Sequence, residues 1–92
     1  MLRRRKGVSQ DYEKAVFWYE KAANQDYPAA QFNLGSCYNQ GKGVQKDDKK
    51  AFFWISKAAN QNYAYAQYAL GVCYGRGFGV TKDDTKATFW ME

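Results

Sequence analysis

The stretch KAFFWISKAANQNYAYAQYALGVCYGRGFGVTKD, from Lys50 to Asp83, decides the reading of this chain. Its near-copy KAVFWYEKAANQDYPAAQFNLGSCYNQGKGVQKD stands 36 residues earlier, from Lys14 to Asp47. The same words begin a third time as KATFWME, from Lys86 to Glu92. Set side by side, residues 11–46 and 47–82 agree at 21 of 36 positions. Self-similarity at a fixed period of this length marks a solenoid, in which each unit covers the apolar face its neighbour leaves open.

Inside the unit the apolar period is helical. Ala15, Trp18, Tyr19, Ala22 and Ala23 fall at i, i+3, i+4, i+7 and i+8, as do Ala51, Trp54, Ile55, Ala58 and Ala59. This predicts first helices over about Asp11–Asn24 and Asp47–Asn60, with acidic starts at Asp47-Asp48 and Asp83-Asp84 suited to capping. Second helices are expected over about Pro28–Tyr38 and Ala64–Tyr74, carrying Leu34 and Leu70 inward. Gly35 and Gly71 sit mid-helix, at a cost of about 1 kcal/mol against alanine. Repeating that cost implies a close helix approach, with Ala22-Ala23 as the expected neighbour. Gly43 and Gly79 belong to the turn Gly-x-Gly-Val, and Val44 and Val80 are expected to plug the joint between units.

The register also runs backward. Lys6-Gly7-Val8 aligns with Lys42-Gly43-Val44, although Arg5 stands where the later units have Gly41 and Gly77. Residues 1–10 therefore read as the tail of a preceding repeat and 11–46 and 47–82 as full repeats. Residues 83–92 read as the first helix of a truncated further one, making about two and a half units. Solenoids normally end in polar caps. None is visible, so a segment of a longer repeat protein is expected, with self-stacking through uncapped ends as a further expectation.

The blocks Ala-x-x-Trp-Tyr-x-Lys-Ala-Ala, Ala-Gln-x-x-Leu-Gly-x-x-Tyr and Gly-x-Gly-Val-x-x-Asp together resemble the Sel1-like repeat, a relative of the tetratricopeptide repeat. The resemblance spans residues 6–92. It implies an all-α, right-handed α/α superhelix that serves as an adaptor in assembling protein complexes. A cysteine-rich branch of that family carries a disulfide within each repeat, but this chain has Ala23, Gln31, Ala59 and Gln67 at those places.

The bulk composition excludes little and supports that picture. The chain has 92 residues, 18% of them aromatic, and a formal charge of +5. Much of the charge is one cluster, Arg3-Arg4-Arg5-Lys6, so a broad basic face for nucleic acid is not expected. The cluster itself is a weaker candidate for nucleic-acid contact. No apolar run approaches the roughly 20 residues that span a bilayer, and no signal peptide follows Met1-Leu2. If Met1 is the true start, the cytosol is the default compartment.

No enzyme is expected from these residues alone, and no cofactor, metal site or small-molecule substrate. There is no histidine to act as base or ligand. Cys37 and Cys73 lie one period apart, too far for a disulfide in stacked units, and read as small apolar core residues. The glycine runs follow no strand and lack the Lys-Ser/Thr of a phosphate loop. A catalytic domain outside these residues, with this array as its accessory, is the alternative function.

The residues left over for function are Phe17, Phe53 and Phe89. They recur in register, and on a helical wheel Phe17 lies about 200° from Ala15, opposite the core stripe. Two readings stay open. They form an apolar stripe on a concave groove that takes a partner protein or peptide, or they pack on the neighbouring unit's first helix. Under the first reading Lys14, Lys21, Lys50, Lys57 and Lys86 make a cationic rim. Trp18, Trp54 and Trp90 are expected in the core.

Overall fold

Helices α1 (Leu2–Ala23), α2 (Pro28–Gln40), α3 (Asp48–Ala59), α4 (Ala64–Arg76) and α5 (Asp84–Met91) follow one another without a strand among the described residues. The computed structural model describes the backbone of residues 2–91 and the side chains of residues 11–91. The helices stack into a body of 46 × 26 × 18 Å, an all-α repeat fold.

The sequence dictates most of the boundaries. Asp47 caps α3, its Oδ1 accepting the N–H groups of Lys49 and Lys50 at 3.1 Å each. Asp83 does the same at α5, accepting from the Lys86 N–H at 3.0 Å. Asp48 and Asp84 instead pair with Lys46 and Lys82 at the surface, at 2.7 and 3.1 Å. Such exposed pairs contribute about 0–1 kcal/mol. The turns after α1 and α3 carry matching left-handed residues, Asp26 at φ 68° and Asn62 at φ 66°, residue types that tolerate that conformation.

One boundary differs from expectation. α1 begins at Leu2 rather than near Asp11, so the turn expected at Lys6-Gly7-Val8 is helical backbone. α2 and α4 are stopped by left-handed glycines, Gly41 at φ 69° and Gly77 at φ 73°. Their register equivalent is Arg5, which the left-handed region disfavours, so nothing breaks the helix there. The side chains of Arg3-Arg4-Arg5-Lys6, the weaker nucleic-acid candidate, lie outside those described.

The core is two clusters, one per helix pair. The first joins Val16, Ala23, Ala30, Leu34 and Cys37; the second joins Ala51, Ile55, Ala58, Ala59, Ala66, Leu70 and Cys73. Val44 and Val80 pack against the cluster of their own unit. Gly43 and Gly79 bring the connecting turn against the backbone carbonyls of Tyr12 and Asp48, where a Cβ has no room.

Two packing expectations need correction. The nearest neighbours of Gly35 are on α3, not Ala22-Ala23 of its own unit. A Cβ there would stand 2.7 Å from Ile55 Cγ1 and 3.1 Å from the Ala51 carbonyl, so the close approach is to the first helix of the next unit. Gly71 meets Ala87 and Met91 of α5 in the same way. The tryptophans likewise act between units. Trp54 packs on the first cluster and Trp90 on the second. Trp18, expected in the core, is 63% exposed.

Candidate functional site

The first helices bury one flank against the core, and the opposite flank carries the phenylalanines. Phe17, Phe53 and Phe89 are 51%, 53% and 68% exposed, on α1, α3 and α5 in turn. None of them enters either core cluster. Each ring stands edge-on to the tryptophan that follows it, with centroids 5.1, 5.0 and 5.3 Å apart and planes at 82°, 82° and 87°. Edge-to-face contact fixes the rings without covering them. Rings left half or more exposed contribute less to folding than core rings, and such apolar rows on a repeat surface are features of contact sites.

Lysines complete the row. Lys21 Nζ lies 5.1 Å from the centroid of Phe17, and Lys57 Nζ 5.4 Å from that of Phe53. The stem covers part of the ring and the ammonium stays at the surface. Lys50 and Lys86 lean instead on the preceding unit, over Tyr38 at 5.5 Å and Tyr74 at 5.4 Å. Lys14 is exposed on the same side of α1. The structure thus brings Phe17 together with Lys21 and Phe53 with Lys57. Sequence reasoning missed the Lys50–Tyr38 and Lys86–Tyr74 pairs, although both recur at the same spacing in the two units.

A second residue was missed as well. Gln31 is fully buried, the one buried polar side chain of the described core. Its Nε2 donates to the Ala23 carbonyl at 3.2 Å, and its Oε1 accepts from Gln61 Nε2 at 2.9 Å. It therefore closes the turn of its own unit and joins it to the next. The sequence signal was the recurrence of glutamine at 31 and 67 among apolar residues.

The remaining candidates are structural. Trp54, Leu34, Leu70, Gly35, Gly71, Gly43 and Gly79 all lie in the stack described above. Cys37 and Cys73 are free thiols buried in the two clusters. Burial pushes both up from their ordinary pKa, which is the opposite of what a nucleophile needs. A cleft of about 510 Å³ between α1 and α2 is lined by Tyr12, Ala15, Tyr19, Asn33, Ser36 and Cys37. The corresponding surface of the next unit is partly covered by Phe32, Ser36 and Asn39 of α2. Phe32 there meets Tyr63 at 5.7 Å and Tyr65 at 6.3 Å.

Paired helices, a left-handed glycine closing each second helix and a glycine seated on the next first helix define an α/α solenoid repeat protein. The Sel1 repeat model matches residues 1–27, 28–63 and 64–92, so the chain belongs to the Sel1 repeat family. The middle match joins a second helix to the following first helix, the pair held by Gly35. Among solved structures, a Sel1 repeat protein from Oxalobacter formigenes is 40% identical with a TM-score of 0.85, over 86% of this chain and 23% of that one. A protective antigen of uropathogenic Escherichia coli with an SLR fold is 45% identical with a TM-score of 0.90, over 97% of this chain and 19% of that one. The chain thus spans about a fifth of the length of these relatives. A comparison with curated proteins gives no match. Sel1 repeat proteins are generally non-catalytic scaffolds that bind other proteins. Among the described residues, no helix is long and apolar enough to cross a membrane.

Proposed function

We propose that this chain is a non-catalytic interaction scaffold that takes a segment of a partner protein across the outward faces of its first helices. Phe17, Phe53 and Phe89 supply the apolar contacts, and Lys21 and Lys57 supply polar contacts beside them. The observation that carries this reading is the register of the three exposed rings, opposite the core and held edge-on by their tryptophans. Side chains already fixed by neighbours lose little entropy on binding, which favours affinity. The stack of helices needs none of the three rings to close, so they are free for a partner.

The test is the triple variant F17S/F53S/F89S. Used as bait beside the native chain, with captured proteins identified by mass spectrometry, it should lose the partner while keeping its helical circular dichroism. Loss of helicity would make the rings part of the core and end this reading. Retention of the same partner by a folded variant would move the site elsewhere.

A further inference from the structure

The three rungs of the phenylalanine row carry different charges, and the difference says what kind of segment fits. Around Phe17 on α1 stand Lys14 and Lys21, but also Glu13 and Glu20, all exposed. Around Phe53 on α3 the register replaces Glu13 by Lys49 and Glu20 by Ser56, while Lys50 and Lys57 remain. Around Phe89 on α5 stand Thr85 and Lys86, with Glu92 next in the register of Glu20. The middle rung therefore carries three lysines and no glutamate on α3, its nearest carboxylates being Asp26 beside Lys57 and Asp47 beside Lys50, and the first rung is mixed.

None of these lysines forms a direct ion pair among the described residues, where the ion pairs are Lys46–Asp48 and Lys82–Asp84. Lys57, Lys50 and Lys86 rest on the ring faces of Phe53, Tyr38 and Tyr74. A ring face orients an ammonium without cancelling its charge, so each cation is held in place and left available. Three such cations around two exposed phenyl rings present alternating apolar and positive contacts to anything lying across α3 and α5.

Resting on the scaffold reading above, we infer that the row selects an acidic segment bearing bulky apolar side chains. Its carboxylates meet Lys50, Lys57 and Lys86, its apolar side chains meet Phe53 and Phe89, and Glu13 and Glu20 repel its acids from the first rung. The charge step along the row sets the polarity in which the segment lies. Like charges placed opposite each other penalise the reversed orientation and basic competitors. Single-stranded nucleic acid, the other polyanion drawn to aromatic and basic surfaces, needs free planar faces for base stacking. Here Lys57 lies over the Phe53 ring and Trp54 stands against it at 82°, which obstructs that mode.

Fluorescence anisotropy with labelled peptides of about ten residues tests this on the full chain at low ionic strength, where screening is weak. One peptide alternates glutamate with leucine and phenylalanine. A second replaces each glutamate by lysine, a third replaces each apolar residue by serine, and an oligothymidylate serves as the nucleic-acid probe. The first should bind about tenfold or more tighter than the other three, and weaken several-fold as salt rises. The double variant K50Q/K57Q should lose about tenfold, and E13Q/E20Q should gain a few-fold. Equal binding of the first two peptides, with F53S abolishing both, overturns the acidic preference and leaves the apolar scaffold standing. Equal binding of the first and third, unchanged by F53S, overturns both readings. Tightest binding of the oligothymidylate overturns the inference in favour of nucleic acid.

Discussion

The junction between the two helix pairs and the open flank of the first pair are built from the same residue types, yet they behave differently. At the junction Trp54 packs on the first cluster, Tyr63 meets Phe32, and Gln61 donates to Gln31. On the open flank Trp18 and Tyr27, the register equivalents of Trp54 and Tyr63, are 63% and 58% exposed. Identity in the repeat therefore does not mean equal burial. The same tryptophan is packed at one position and exposed at another, because Trp54 is covered by residues of a unit other than its own. This is the nearest-neighbour character of a repeat protein, where stability is a sum of unit and interface terms.

The largest expected effect comes from breaking the junction itself. Gly35→Val would drive side-chain atoms into Ile55 and the Ala51 carbonyl, at a cost of about 3 kcal/mol or more in urea unfolding. Gly75 offers the contrast. A Cβ there would meet only the Ala87 Cβ at 3.6 Å, so Gly75→Ala should be neutral or stabilising by up to about 1 kcal/mol. If both substitutions cost the same, close approach is not why Gly35 is glycine.

Next in size is the tryptophan pair. Trp54→Ala removes a side chain lodged on the first cluster and should cost about 2–3 kcal/mol. Trp18→Ala should cost under about 0.5 kcal/mol, as exposed substitutions do. Thermal unfolding of the two variants side by side separates them, and equal losses would mean that Trp18 is covered in solution. Smaller again is the glutamine pair. Gln31→Ala empties a fully buried site and removes the bonds to the Ala23 carbonyl and to Gln61, for about 1–3 kcal/mol. Gln67→Ala, whose bonds to Ala59 and Asn62 are 3.4 Å long and partly exposed, should cost less than half of that.

Much of this was legible in the sequence. The 36-residue period, the helix pairs and the Asp47 and Asp83 caps follow from local spacing, which also sets Phe17, Phe53 and Phe89 opposite the core stripe but leaves open whether a neighbouring helix covers them. The errors share one cause. Gly35 was assigned to Ala22-Ala23 and Trp18 to the core because periodicity shows which face of a helix is apolar, not which helix lies against it. In a solenoid the partner of each inward face is divided between its own unit and the next, and only the stack decides. Gln31 was overlooked because a polar residue in an apolar run reveals its role only when its hydrogen-bond partners are known. The α1 extension to Leu2 was readable from Arg5 at a glycine position.

The smallest difference between the copies concerns Cys37 and Cys73. Both are buried in equivalent clusters, and desolvation raises both thiols above their ordinary pKa. Their charged neighbours differ in sign. Lys42 lies near Cys37 and opposes the rise, whereas Asp48 lies near Cys73 and adds to it. In register, Lys42 is replaced by Phe78 and Asp48 stands where the first unit has Tyr12. Because the folded thiols hold their protons longer than the unfolded ones, unfolding releases protons, and stability falls as pH rises through the ordinary thiol value of 9.0 toward the raised ones. Below that value the two thiols make no pH-dependent contribution. Native-state alkylation of the single variants C37S and C73S, followed across alkaline pH, should show the Cys37 thiolate appearing at lower pH than that of Cys73. Lys42→Gln should move Cys37 toward Cys73, and Asp48→Asn should move Cys73 the other way. Identical profiles unaffected by either change would show that desolvation alone governs both thiols, and that the charges distinguishing the two units do not reach their cores.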